Sequence, residues 1–64
     1  MSQIKAEFKV FENYYGTPIQ IYYDPHIKVV INDVVYWQEI KQLAGKYKTV
    51  QSSINAAKEW FSGN

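Results

Sequence analysis

Sixty-four residues make one small domain (1–64), and a chain this short buries only about 60% of the surface its unfolded form exposes, so its core alone gives a few kcal/mol. Seven lysines and six carboxylates leave a net charge of +1; without arginine there is neither the basic stripe that attracts nucleic acid nor the guanidinium fork that clamps phosphate. The absence of cysteine excludes disulfides and thiolate metal sites, and no apolar run is long enough for a bilayer.

The opening MSQIKAEFKV has no apolar core of a signal peptide, so a cytoplasmic protein without membrane contact is expected. IKAEFKVF (4 to 11) alternates, with Ile4, Ala6, Phe8 and Val10 on one side and Lys5, Glu7 and Lys9 on the other, which predicts a half-buried edge strand. ENYYGTP (12 to 18) reads as a loop, and IQIYY (19 to 23) as a second strand. Asp24-Pro25-His26 is expected to form a tight turn, because proline presets φ at the first central position. IKVVI (27 to 31) and VVYW (34 to 37) follow as strands joined by a two-residue turn at Asn32-Asp33.

QEIKQLAG (38 to 45) admits two readings. Tyr36, Ile40, Leu43 and Tyr47 share a helical stripe and Gly45 suits a C-cap, which favours a short helix at about 38–44; a strand continuing through Ile40 is the other choice. TVQSSINAAKEWFSG (49 to 63) is the clearest helix, with Thr49 as N-cap, Val50, Ile54, Ala57 and Phe61 in a narrow apolar stripe flanked by Ser53 and Trp60, and Gly63 as its stop. The fold class expected is α+β: a three- to four-stranded antiparallel sheet with a C-terminal helix packed on one face.

The Asn32-Asp33 hairpin would place Ile31 opposite Val34, Val30 opposite Val35, Val29 opposite Tyr36 and Lys28 opposite Trp37. A preceding hairpin closed at Asp24 to Ile27 would set Ile21 against Val30 and Tyr22 against Val29. One face then collects Ile19, Ile21, Tyr23, Val30, Val35 and Trp37, the other Tyr22, Val29, Ile31, Val34 and Tyr36. A helix roughly 21 Å long covers one face and not two. With the Trp37 face expected under the helix, Tyr22, Val29, Ile31, Val34 and Tyr36 become the candidate partner-binding surface. Its cover is residues 38 to 44, a second copy in a homodimer, or another protein.

Little in the chain suggests chemistry. His26 is the only histidine, and although Glu39 falls across from it, a zinc site needs three or four ligands. The carboxylates are scattered and the glycines isolated, so neither a paired acid/base arrangement nor a phosphate loop arises. No catalytic, cofactor or metal site is expected, and the protein is not expected to be an enzyme.

A nucleic-acid role is the alternative. Lys46, Tyr47, Lys48 and Thr49 interleave charge and aromatic surface ahead of a helix N-terminus. EIKQLAGKYKTVQSSIN (39 to 55) resembles a helix-turn-helix over 17 residues, with Lys41 and Lys46 standing where that pattern carries buried small or apolar residues. Three strands followed by a helix are also similar to small integrase-arm DNA-binding domains, which are strongly basic. In size and lack of chemistry the chain is similar in kind to the short accessory proteins with which bacteriophages bind and inhibit host proteins, anti-CRISPR proteins among them. The leading expectation is a small non-enzymatic protein-binding module.

Overall fold

The computed structural model describes residues 6–63, so Ile4 and Lys5 of the first expected strand lie outside the described residues. In chain order come β1 (Phe8–Tyr15), β2 (Gln20–Ile31), β3 (Val34–Glu39), a single 3-10 turn at Lys41–Leu43, and α1 (Val50–Ser62). The strands form one antiparallel sheet in the order β1-β2-β3, and α1 packs on β1 and β2. The α+β class expected from the sequence is the one observed.

The expected turn at Asp24-Pro25-His26 is not a turn: β2 runs straight through it, so two expected strands are one. Register explains why proline is tolerated there. The last paired residues of β3 are Glu39 with His26, and the Ile40 N–H then donates to the Pro25 carbonyl at 3.2 Å. Pro25 therefore turns its missing donor towards the side where β3 has ended, where no ladder bond is lost. From Ile40 the chain leaves the ladder and follows the bare edge of β2, where the Tyr23 N–H donates to the Tyr47 carbonyl at 2.8 Å. The helix expected at about 38–44 reduces to the Lys41–Leu43 turn, because β3 claims residues up to Glu39. That also removes the first helix of the helix-turn-helix likeness.

The expected loop 12–18 shortens likewise. Asn13, Tyr14 and Tyr15 pair with Tyr22, Ile21 and Gln20, and the chain reverses only at Gly16, whose φ of +90° suits glycine. The second hairpin has the expected register, Ile31 against Val34 through Lys28 against Trp37.

Strand alternation through this register sorts the side chains. Phe8, Val10, Tyr23, Pro25, Ile27, Val29, Ile31, Val34 and Tyr36 share one face; Lys9, Phe11, Tyr15, Tyr22, Asp24, His26 and Trp37 share the other. The helix lies on the first: Phe61 in its last turn meets Phe8 edge to face, with ring centroids 6.2 Å apart. Trp37 is thus on the open face, contrary to expectation, because the helix selects the face that is apolar along the whole of β2.

Thr49 caps α1, its hydroxyl accepting the Ser52 N–H at 3.2 Å. The inward stripe is centred on Ser53 and Ala57, both fully buried, whereas Val50 points outward. Small residues at that centre let the helix backbone approach the sheet closely. The core is correspondingly thin: Ile40 and Ala57 are the buried hydrophobic residues among those described, beside Pro25.

Candidate functional site

Length decides what stays uncovered. Thirteen helical residues reach about 20 Å, whereas the twelve residues of β2 reach about 40 Å. Because Phe61 meets Phe8, and Phe8 pairs with Ile27, the helix ends near that level of the sheet. Beyond it β2 and β3 continue as an arm whose base is flanked by Glu7, its carbonyl accepting the Lys28 N–H at 2.9 Å, and the molecule measures 48 × 25 × 16 Å.

The arm closes at Asn32 and Asp33, with φ of 52° and 63°. Both values are left-handed, the conformation a two-residue turn needs to match strand twist. On the arm, Val29, Ile31, Val34 and Tyr36 continue the apolar face that the helix covers further down. Ile31, Val34 and Tyr36 are 54%, 48% and 51% exposed, and Val30 and Val35 on the reverse side are 57% and 48% exposed. Four of the five candidate partner-binding residues are therefore neighbours. Tyr22 is the exception: it sits on the open face roughly 23 Å down β2 from Val29, because the strand does not reverse at Pro25.

The open face carries a polar knot that sequence reasoning missed. Asp24 is fully buried. Its Oδ1 accepts the Gly45 N–H at 2.8 Å, its Oδ2 accepts the Asn13 amide at 2.8 Å, and the Tyr15 hydroxyl donates to Oδ2 as well. Burial pushes the Asp24 carboxyl up, but the Gly45, Tyr15 and Asn13 donors, helped by His26, outweigh burial and hold it below the usual carboxylate range. The Tyr15 phenol is raised, first by its hydrogen bond to Asp24 and then by burial. Every oxygen of the carboxylate is engaged in pinning β1 and the 40–48 segment to β2, so this is a structural clamp. A signal was available: an aspartate inside an otherwise β-forming run needs donors from elsewhere.

Nearby, Lys9 reaches over the rings of Phe11 and Trp37, 5.6 and 5.5 Å from their centroids, and the Phe11 ring packs on His26 at 4.2 Å. His26 Nδ1 lies 3.1 Å from the Asp24 carbonyl, and Glu39 is its cross-strand neighbour, as expected. Among the described residues no group of three or more His, Cys, Asp or Glu side chains is placed to hold a metal ion. An open groove of roughly 540 Å³ runs between α1 and the 43–47 segment, with Tyr47, Asn55, Glu59 and Trp60 on its walls.

The alternative nucleic-acid residues are largely occupied by the fold. Thr49 caps the helix, the Tyr47 carbonyl bonds to β2, and Lys48 donates to the Gln20 side chain while lying over the Tyr22 ring, 5.3 Å from its centroid. Lys46 is exposed. No described helix is long and apolar enough to cross a membrane. Comparison with known proteins yields no match: no family model fits the chain, and no curated protein or solved structure is significantly similar to it.

Proposed function

We propose that this chain is a small non-enzymatic protein-binding module whose docking element is the β2–β3 arm. The supporting observation is the apolar face that runs out from under the helix to Ile31 and Val34, half-exposed among the described residues. Fully burying an aliphatic or aromatic side chain contributes about 1.5–3 kcal/mol relative to exposure, so half-exposed Ile31, Val34 and Tyr36 leave several kcal/mol for a partner to recover. Tyr36 adds a rigid ring with a polar tip, a side chain suited to surfaces that are alternately wet and buried. Without chemistry of its own, a chain of this design acts by occupying a partner's surface, as a blocking or adaptor protein does.

A photo-crosslinking side chain placed at Val34 in the producing cell tests this. A discrete protein adduct is expected at position 34 and not at Gln51 on the outer face of the helix. Equal, diffuse labelling at both positions removes the proposal.

A further inference from the structure

We infer that the protein bound by the arm adds an extended strand to the free edge of β3, a strand with an apolar centre and a lysine or arginine at each end; the inference rests on the docking role proposed for the arm. The backbone sets the geometry. The Ile40 N–H points to β2, so Gln38, Tyr36 and Val34, which alternate with it, also turn their backbone groups to β2. Val35, Trp37 and Glu39 consequently turn theirs to the free edge, where none of them has a partner among the described residues. A strand added to such an edge takes its affinity from main-chain hydrogen bonds and its selectivity from the side chains beside them.

Lysine, proline or a covering element normally keeps other strands off an edge. From Val34 to Gln38 this edge has neither charge nor proline, whereas β1, at the opposite edge of the sheet, carries Lys9 and Glu12. Charge of one sign brackets the apolar stretch: exposed Asp33 at the hairpin tip and half-buried Glu39 at the other end. Neither carboxylate has an ion-pair partner among the described residues. These two groups select the occupant. An antiparallel copy of β3 that aligned the stretch with itself would set Glu39 against Asp33 at both ends, and like charges directly opposite are destabilising. A strand with basic residues at those two places gains at both instead.

The register also fixes the spacing. Asp33 and Glu39 are six steps apart, about 20 Å of extended chain, so the basic residues of the incoming strand are six positions apart as well. Between them, alternate side chains fall beside Val34 and Tyr36 on the helix side of the sheet and beside Val35 and Trp37 on the open side. The centre of the strand is therefore apolar on both faces.

The peptide KTVIVTK, with acetylated and amidated ends, presents this pattern in either chain direction, and ETVIVTE reverses its charges alone. Amide NMR of the isotope-labelled protein, titrated with each peptide, decides the matter. The lysine peptide is expected to bind about tenfold more tightly than the glutamate peptide at low salt, with the advantage shrinking as salt rises. Its binding is expected to slow hydrogen exchange at the Val35 and Trp37 amides. Val35→Pro removes an outward N–H without costing a ladder bond to β2, and is expected to abolish binding with an unchanged far-ultraviolet spectrum. Glu39→Lys leaves the edge backbone intact and is expected to erase the preference between the peptides. No binding of the lysine peptide at millimolar concentration, equal binding of the two, or shifts centred on β1 instead of β3 overturns the inference. The cross-linker at Val34 separates that failure from failure of the docking role. An adduct lost in Val35→Pro agrees with strand addition, and one that persists overturns it while leaving the apolar face as the contact; no adduct without that substitution removes the docking role itself.

Discussion

The Gly45 amide donates to Asp24 Oδ1 at 2.8 Å, tying two residues 21 positions apart in the chain. With Asn13 and Tyr15 on the other carboxylate oxygen, this one side chain holds β1, β2 and the 40–48 segment together. Replacing Asp24 with alanine strands three donors, and hydrogen bonds to a charged group contribute about 1.5–3 kcal/mol each. Since a 64-residue domain has only a few kcal/mol of stability, Asp24→Ala is expected to be largely unfolded at 25 °C. Asp24→Asn keeps acceptance at one oxygen but turns an NH2 towards a donor, and is expected to lose about 2–3 kcal/mol in urea denaturation. A midpoint unchanged in both variants removes the clamp from the account of stability.

Acid sensitivity follows from the same carboxylate. Its pKa is depressed in the folded state and ordinary, about 3.9, in the unfolded chain. Its contribution is therefore fully present above about pH 4 and is lost as pH falls through the folded value. On the alkaline side the sign reverses for Tyr15, whose phenol is raised in the fold. That contribution is present below about pH 10 and disappears as pH rises through the raised value. Thermal unfolding against pH should show both shoulders in the wild type. Asp24→Asn is expected to flatten the acid shoulder and Tyr15→Phe the alkaline one, and persistence of either assigns it to other groups.

The long central strand was legible in the chain. Ile19, Ile21, Tyr23, Pro25, Ile27, Val29 and Ile31 are apolar at every odd position, while the even positions carry Gln20, Tyr22, Asp24, His26, Lys28 and Val30. That is a period-2 pattern through the whole of β2, with its apolar side towards the helix. Asp24-Pro25 masks it, because proline after aspartate also favours the start of a turn. What decides between them is non-local: whether β3 extends far enough to need an N–H from Pro25, which no window around that residue contains. A turn at Pro25 sets 19–23 out of phase with the rest of β2, which groups Tyr22 with Val29 and Ile31 and puts Trp37 under the helix. The Asn32-Asp33 hairpin has the register its sequence implies, because its turn and its pairing are both local. The helix N-cap at Thr49 was legible for the same reason.

The hairpin turn itself is improvable. Asp33 adopts φ 63°, a left-handed conformation that costs an ordinary residue about 1–2 kcal/mol and glycine almost nothing. Asp33→Gly makes the preferred Asn-Gly pair of this turn type. After subtracting the greater freedom of glycine in the unfolded chain, a net gain of about 0.5–1 kcal/mol is expected, or several degrees in Tm for a domain this small. Differential scanning calorimetry measures it; a lower Tm would mean that the Asp33 side chain stabilises the turn by more than its backbone costs.

Ser53 offers the opposite lesson, about the interior. It is fully buried at the centre of the helix–sheet contact, and its hydroxyl has no hydrogen-bond partner. A buried polar group left unpaired costs about 1–3 kcal/mol, and serine is also the weaker helix former. Ser53→Ala removes the hydroxyl with almost no change in volume and is expected to stabilise the fold by about 1–2 kcal/mol in urea denaturation. Ser53→Val separates polarity from size. It also removes the hydroxyl, but its added methyls press into a contact that Ser53 and Ala57 keep close, so it is expected to lose about 1–3 kcal/mol. If alanine fails to stabilise, the hydroxyl is satisfied in solution; if valine is tolerated, the helix does not lie as close to the sheet as its small residues imply.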